Sequence, residues 1–104
     1  VAVDLADLSS TNPAKYATGL MGSDGHAVII TRVSATDFRA FSARCPHAGC
    51  DVDFHVSNGT MPCPCHLSLF ALDGSVTQGP SVSGLSQYDG VYDATNGQLR
   101  VKLT

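Results

Sequence analysis

Two short segments of this chain combine cysteine and histidine at close spacing. They are CPHAGC at residues 45–50 and CPCHLS at residues 63–68. Cys45 and His47 are two residues apart, Cys63 and His66 are three apart, and fifteen residues separate the two pairs. Each segment therefore offers one soft thiolate and one imidazole, and two such segments could hold a pair of iron ions, with sulfur on one and nitrogen on the other.

Two other uses of these residues remain open at this point. Two cysteines and two histidines could hold a structural zinc ion, and four cysteines could form two disulfides in a secreted chain. Zinc binding leaves Cys50 and Cys65 unexplained, and two disulfides leave the placement of the histidines unexplained. Haem attachment is excluded because it requires Cys-x-x-Cys-His, whereas a single residue separates Cys63 from Cys65.

The flanking sequence predicts short β-strands that position the two segments. The chain has 104 residues, with ten glycines, five prolines and 43% hydrophobic residues, which suits one small turn-rich domain. Apolar alternation or β-branched runs predict strands at 1–5, 27–33, 38–43, 52–56, 86–92 and 98–103. Residues 12–23 are expected to be a polar connection, and Asn58–Gly59 and Asn96–Gly97 are hairpin turn signals. The prediction is an all-β domain of about eight to ten strands, whose folded-over sheet buries the core.

Charge and hydropathy exclude several classes of partner. The net charge is −3, with six basic residues and no basic run, so we expect no nucleic-acid binding. No apolar run approaches the roughly 18 residues that a membrane-spanning helix needs. The chain begins with Val1 instead of Met, from which we expect either a removed leader or trimming to a soluble part. His26 is expected to be a solvated loop residue, and His55 an exposed one.

The pattern Cys-x-His, fifteen residues, Cys-x-x-His resembles the two ligand boxes of the Rieske family. The resemblance implies one 2Fe–2S cluster with four ligands, which are Cys45, His47, Cys63 and His66. The additional Cys50 and Cys65 are similar to a cysteine pair in the branch found in cytochrome bc-type complexes, where that pair forms a disulfide between the ligand loops. Gly79 and Pro80 resemble the proline loop of the family, which covers the cluster from a third side.

The resemblance also implies how the reduction potential is tuned. Ser68 stands where high-potential members carry a serine whose hydroxyl bonds a bridging sulfide. Phe70 stands where those members carry a tyrosine that donates to a ligand sulfur. We therefore expect a potential above that of oxygenase Rieske ferredoxins, which lack the disulfide, and below that of fully hydrogen-bonded quinol-oxidising proteins.

The implied fold is the Rieske fold, a small antiparallel β-barrel-like base that carries a cluster-binding loop subdomain. We expect one domain over 1–104, with the cluster-binding part at about 43–82 and the base formed by 1–42 and 83–104. The implied disulfide favours an oxidising compartment. A periplasmic or other extracytoplasmic location is thus expected, with a membrane anchor lost by truncation as one option.

The implied function is one-electron transfer that is coupled to protons at the ligand histidines, and we expect no catalysis by this chain alone. The family offers two main roles, a soluble carrier and the soluble head of a quinol:cytochrome c oxidoreductase-like complex. The expected partner is accordingly a cytochrome, a copper protein or a quinol-oxidising complex. The alternatives are the small Rieske subunit of an arsenite-oxidase-type enzyme and the electron-input ferredoxin of an oxygenase.

Overall fold

The computed structural model describes residues 1–46, 49–56, 58–65, 68–81 and 83–103. These residues form nine β-strands, which are β1 Ala2–Asp4, β2 Ala14–Met21, β3 Ala27–Ser34, β4 Asp37–Ser42, β5 Thr60–Pro62, β6 Leu69–Ala71, β7 Val76–Gln78, β8 Gln87–Asp93 and β9 Gln98–Lys102. The all-β prediction is confirmed. Within the described ranges, no helix has the length and apolar character needed to cross a membrane.

The larger sheet has six strands in the order β1-β9-β8-β4-β3-β2, and all neighbours are antiparallel. The β-branched run of β3 is buried on both faces of this sheet, because successive side chains of a strand point to opposite sides. Val28 and Ile30 pack into one core with Leu99, whereas Ile29 packs into a second core with Phe41. Strands β3 and β4 therefore form a wall between the core of the base and the core beneath the cysteine segments.

The six-stranded sheet curls until its edge strands, β1 and β2, face each other. Lys15 of β2 crosses the gap between them, and its ammonium donates to the Asp4 carbonyl and to Asp7 Oδ1. A cleft of about 610 Å³ remains beside this contact. The sheet is thus a nearly closed barrel, as the resemblance implied. The Lys15 side chain links β1 and β2 at the place where backbone hydrogen bonds would complete a closed barrel.

Strand β2 was not expected, since residues 12–23 were assigned to a connection. It pairs with β3 through Tyr16 opposite Ile29, and the register shifts between Tyr16 and Met21, a stretch that includes Gly19 with φ +76°. Its buried residues include Ala14 and Ala17, whose small side chains produce only a weak alternation of hydrophobic and polar residues in the sequence. The strand forms because β3 supplies a ladder partner, a tertiary effect that outweighs weak local propensity.

The smaller sheet has the order β5-β6-β7 and covers the second core with Met61 and Phe70. Residues 52–56, predicted as a strand, form no ladder. The Val52 amide donates to the Ala43 carbonyl and the Asp53 amide donates to the Pro62 carbonyl, at 2.7 and 2.9 Å. Ala43 follows β4 of the larger sheet, and Pro62 is the last residue of β5 in the smaller sheet. Residues 52–56 therefore connect the two sheets without forming a strand of either.

Candidate functional site

The two cysteine segments come after strands β4 and β5, and we call them the first cysteine loop (45–50) and the second cysteine loop (63–68); residues 45, 46, 49, 50, 63–65 and 68 of these loops are described. In the first, the Cys45 amide donates to the Cys50 carbonyl at 2.8 Å and the Gly49 amide donates to the Cys45 carbonyl at 2.9 Å. Gly49 has φ +74°, a conformation that a residue with a Cβ rarely adopts. In the second, the Cys63 amide donates to the Ser68 carbonyl at 3.0 Å. Cys45 and Cys63 thus lie where backbone hydrogen bonds join the two ends of each loop.

A disulfide between Cys50 and Cys65 joins the two loops, with Cα atoms 6.3 Å apart, as the resemblance implied. Cys45 and Cys63 do not take part in the disulfide, and their residues are 0% and 2% exposed. Both belong to the second core, which also contains Phe70. The structure therefore brings two buried thiols to neighbouring loops and leaves them outside the disulfide.

This donor set suits the sulfur half of a 2Fe–2S centre, because two thiolates on one iron need two cysteines that are shielded from solvent and not consumed by a disulfide. The other two predicted ligands, His47 and His66, lie outside the described residues. Within the described part of the chain, no group of three or more His, Cys, Asp or Glu side chains offers a competing metal site.

The segment Gly79-Pro80-Ser81 lies against the second cysteine loop. The Gly79–Pro80 peptide bond is cis, and Ser81 is buried. The Ser81 amide donates to Ser68 Oγ at 2.9 Å, while the Ser81 hydroxyl donates to the Ser83 carbonyl at 2.8 Å. The residue that follows the predicted cluster cover, Ser81, therefore hydrogen-bonds to the predicted tuning serine, Ser68.

His26 was expected to be a solvated loop residue, and the structure places it in the turn between β2 and β3, partly exposed and paired with Asp51. Its Nδ1 lies 2.6 Å from Asp51 Oδ1, directly after the first cysteine loop, and its side chain is 28% exposed. The two residues are 25 positions apart, so no local spacing signals the contact. His26 is the site-adjacent residue that sequence reasoning missed.

His55 behaves as expected, with a side chain that is 75% exposed. It pairs with Asp53 at 2.7 Å and stacks on Phe54 at a ring distance of 4.2 Å. The His55 amide hydrogen bond is the main factor that holds the pKa of Asp53 below its usual value. Tyr16 packs on Phe54 and donates its hydroxyl to the Val52 carbonyl, so β2 anchors this segment. Among the described residues, the partners of His55 belong to its own segment.

Comparison with known proteins identifies the family. Residues 5–89 match the Rieske [2Fe–2S] domain. The chain is 31% identical over 97 residues to the cytochrome b6-f complex iron–sulfur subunit of Synechococcus sp., covering 90% of this chain and 55% of that protein. It is 37% identical over 73 residues to the protein YhfW of Bacillus subtilis, of which it covers 14%. The chain thus spans about half the length of the first protein and a small part of the second.

Two solved structures share the fold. The plasma membrane Rieske protein of Synechocystis PCC 6803 superposes with a TM-score of 0.67 at 28% identity, over 78% of this chain and 81% of that one. The ferredoxin of carbazole 1,9a-dioxygenase from Nocardioides aromaticivorans superposes with a TM-score of 0.68 at 26% identity, over 99% and 95%. The domain match, the fold and the disulfide-linked cysteine loops together show that this chain belongs to the Rieske family of electron-transfer proteins, whose domain binds one 2Fe–2S cluster.

Proposed function

We propose that this domain transfers single electrons between protein partners outside the cytoplasm, with a 2Fe–2S cluster ligated by Cys45, His47, Cys63 and His66. The observation that carries the proposal is the pair of buried cysteines, Cys45 and Cys63, that lie outside the disulfide joining their two loops. Structural disulfides persist in oxidising compartments, which supports an extracytoplasmic location.

The proposal that Cys45 and Cys63 are ligands rests on the burial of their side chains. Cys45 and Cys63 lie in an apolar core, where water has little access to a sulfur ligand. The Cys50–Cys65 bond limits how far the two loops can separate, which holds the two thiols in place through changes of charge. When bound, the cluster supplies a centre that accepts and releases one electron.

The proposal that His47 and His66 are ligands rests on their positions in the sequence. His47 and His66 occupy the family positions for ligands, two and three residues after Cys45 and Cys63. Replacing thiolate by imidazole removes negative charge and raises the potential into the range of about −150 to +300 mV. Because each ligand imidazole has an outer nitrogen that can carry a proton, we expect proton uptake on reduction.

The proposed division of the chain follows the two sheets. The cluster-binding part is about 43–82, and the base consists of 1–42 and 83–104. Gly79 and Pro80 are proposed as the cover of the cluster, supported by the hydrogen bond from Ser81 to Ser68. The chain itself supplies burial, loop closure and orientation, and no catalytic step is assigned to it.

The proposed partner is a cytochrome, a copper protein or a quinol-oxidising complex. The similarity to a cytochrome b6-f iron–sulfur subunit and to a plasma membrane Rieske protein supports this role. The similarity to a dioxygenase ferredoxin favours a second candidate, electron input to an oxygenase. The Cys50–Cys65 disulfide favours the first candidate, since the resemblance associates it with the cytochrome bc-type branch.

Metal analysis and spectroscopy of the purified protein test the ligand assignment. We expect two irons per chain, a reddish colour and a Rieske-type EPR signal on reduction. Substitutions Cys45→Ser, Cys63→Ser, His47→Ala and His66→Ala should each abolish the signal. His55→Ala is the matched control, because this exposed histidine is bonded to Asp53 of its own segment and its loss should leave the iron content unchanged. A colourless zinc protein, or an unchanged spectrum after Cys45→Ser, would reject the proposal.

Electron-transfer assays separate the two candidate roles. The reduced protein is mixed with a soluble cytochrome c, and in parallel the oxidised protein is mixed with an oxygenase-type reductase. Rapid oxidation by the cytochrome, with a potential above that of oxygenase ferredoxins, is expected. Rapid reduction by the reductase, together with slow oxidation by the cytochrome, would favour the oxygenase role.

A further inference from the structure

Arg44, which directly precedes Cys45, brings a positive charge to the first cysteine loop. It is the only lysine or arginine among residues 43–82, the proposed cluster-binding part. The residue is exposed, yet its guanidinium lies over the loop at Gly49. A Cβ atom added to Gly49 would stand 3.9 Å from Arg44 Nε and 4.0 Å from Arg44 Nη2. The cation therefore rests on the loop itself.

Gly49 belongs to the turn that closes onto Cys45. Its amide donates to the Cys45 carbonyl at 2.9 Å, and its φ is +74°. Because Gly49 has no side chain, the guanidinium can approach the loop backbone at this point. The positive charge of Arg44 is thus adjacent to the turn that carries the proposed ligand Cys45.

The backbone of Arg44 is held in place at the start of the loop. The Arg44 amide donates to Ser42 Oγ at 3.2 Å, and the Ser42 hydroxyl donates to the Asp24 carboxylate. Arg44 also forms an antiparallel bridge with Asp51, the residue that follows the loop. These contacts fix the backbone from which the Arg44 side chain extends over Gly49.

In the described part of the chain, no carboxylate forms an ion pair with the Arg44 guanidinium. The three acidic residues among residues 43–82 contact other groups, since Asp51 pairs with His26, Asp53 pairs with His55, and Asp73 accepts a hydrogen bond from Ser75. The positive charge on the first cysteine loop is therefore not cancelled by a direct partner there.

We propose that the Arg44 guanidinium raises the reduction potential of the redox centre. This inference rests on the proposed function, since it requires the cluster to be bound at Cys45. When a donor protein passes one electron to the centre, the donor is oxidised by one electron and the centre becomes more negative by one charge. A positive charge on the same loop stabilises that added negative charge and thus favours the reduced state.

The size of the effect is limited by solvent, because Arg44 is exposed. In water, a unit charge about 10 Å from the charge that changes alters an equilibrium constant roughly twofold. For one electron about 59 mV is a tenfold change, so a twofold change is about 18 mV. Dissolved ions screen exposed charges, with a Debye length of about 30 Å at 0.01 M salt and about 3 Å at 1 M. High salt should therefore remove most of the effect.

The test compares the reduction potentials of wild type and Arg44→Gln at pH 7, at about 0.01 M and about 1 M salt. At low salt we expect a roughly twofold smaller equilibrium constant for reduction in Arg44→Gln, and at high salt a potential close to that of wild type. Arg44→Lys is the second variant, because it keeps the charge and loses the guanidinium hydrogen-bond donors. Its potential should stay close to that of wild type at both salt concentrations.

Lys102→Gln is the matched control, since it removes one positive charge from the exposed end of β9 in the base. Its potential should equal that of wild type at both salt concentrations. Equal potentials of wild type and Arg44→Gln at low salt, a shift that high salt leaves unchanged, or an equally large shift in Arg44→Lys or Lys102→Gln would overturn the inference.

EPR spectra and iron content show whether each variant holds an intact centre. Loss of the cluster in Arg44→Gln alone would assign the side chain a structural role and would also overturn the inference. Wild-type protein without iron would instead overturn the proposed function, and the inference with it.

Discussion

The backbone amide of Ser81 donates a hydrogen bond to the side-chain oxygen of Ser68, 2.9 Å away and thirteen residues earlier in the chain. Both serines are buried. A hydroxyl group has one hydrogen to donate, and an amide hydrogen bond to its oxygen leaves that hydrogen for a different acceptor. The proline segment that precedes Ser81 therefore restrains how the Ser68 hydroxyl can turn.

Removal of this hydroxyl should lower the reduction potential. We expect Ser68→Ala to bind the cluster and to lower its potential by roughly 60 mV, because a hydrogen bond to a charged acceptor contributes about 1.5 kcal/mol and about 59 mV is a tenfold change for one electron. Redox titration followed by circular dichroism measures the shift. Ser81→Ala is the control, since it keeps the amide donor, and its shift should be much smaller. Equal shifts in the two variants would contradict the assigned role of Ser68.

A hydroxyl group at position 70 should raise the reduction potential. Phe70 is fully buried in the core that contains Cys45 and Cys63. We expect Phe70→Tyr to raise the potential by a similar amount, since a donor to a ligand sulfur stabilises the reduced, more negative state. Phe38→Tyr is the control because Phe38 packs in the other core, against Tyr92. An unchanged or lowered potential in Phe70→Tyr would show that its hydroxyl does not reach a sulfur ligand.

The features that sequence alone predicted depend on short spacings. The two cysteine loops and the β3 run are local patterns, and their chemistry is visible within a few residues. The pairing of Cys50 with Cys65 came from the resemblance to a known family, and the structure confirms it. The assignment of Cys45, His47, Cys63 and His66 as ligands stays a prediction.

The features that sequence missed depend on the path of the chain. Strand β2 has small inward residues and forms because β3 lies beside it. Residues 52–56 alternate like a strand, but their backbone bonds go to two different partners. His26 meets Asp51 only because the barrel places the turn between β2 and β3 beside the first cysteine loop. Contacts of this kind need the three-dimensional arrangement of the sheet.

Loss of the loop-to-loop disulfide should weaken both stability and cluster retention. The double variant Cys50→Ser, Cys65→Ser opens a link between residues 15 positions apart. In the chain-entropy model a closed loop of this length contributes about 3 kcal/mol to the free energy of unfolding. Urea unfolding and the rate of iron loss to a chelator measure the two effects. Cys50→Ser, Cys65→Ser should therefore lose iron faster than wild type, and equal rates would show that backbone hydrogen bonds alone hold the loops.

The contribution of the Lys15 hydrogen bonds to the free energy of unfolding should have a pH-dependent part and a constant part. The hydrogen bond from Lys15 is the main factor that lowers the pKa of Asp7 from its ordinary value of 3.8, so this pair stabilises the fold above that pH and stops doing so as the pH falls through the lowered pKa. Asp7 is mostly exposed, and its contribution is accordingly small, below about 1 kcal/mol. The hydrogen bond from Lys15 to the Asp4 carbonyl does not titrate.

These two parts can be separated by comparing Lys15→Met with Asp7→Asn in urea unfolding at pH 7 and pH 3. Lys15→Met should destabilise more than Asp7→Asn at pH 7, because it removes both hydrogen bonds. At pH 3 the effect of Asp7→Asn should shrink, while Lys15→Met should keep the part due to Asp4. Each variant is compared with wild type at the same pH, so contributions shared by all three proteins cancel. Equal destabilisation by the two variants at both pH values would show that Lys15 acts only through Asp7.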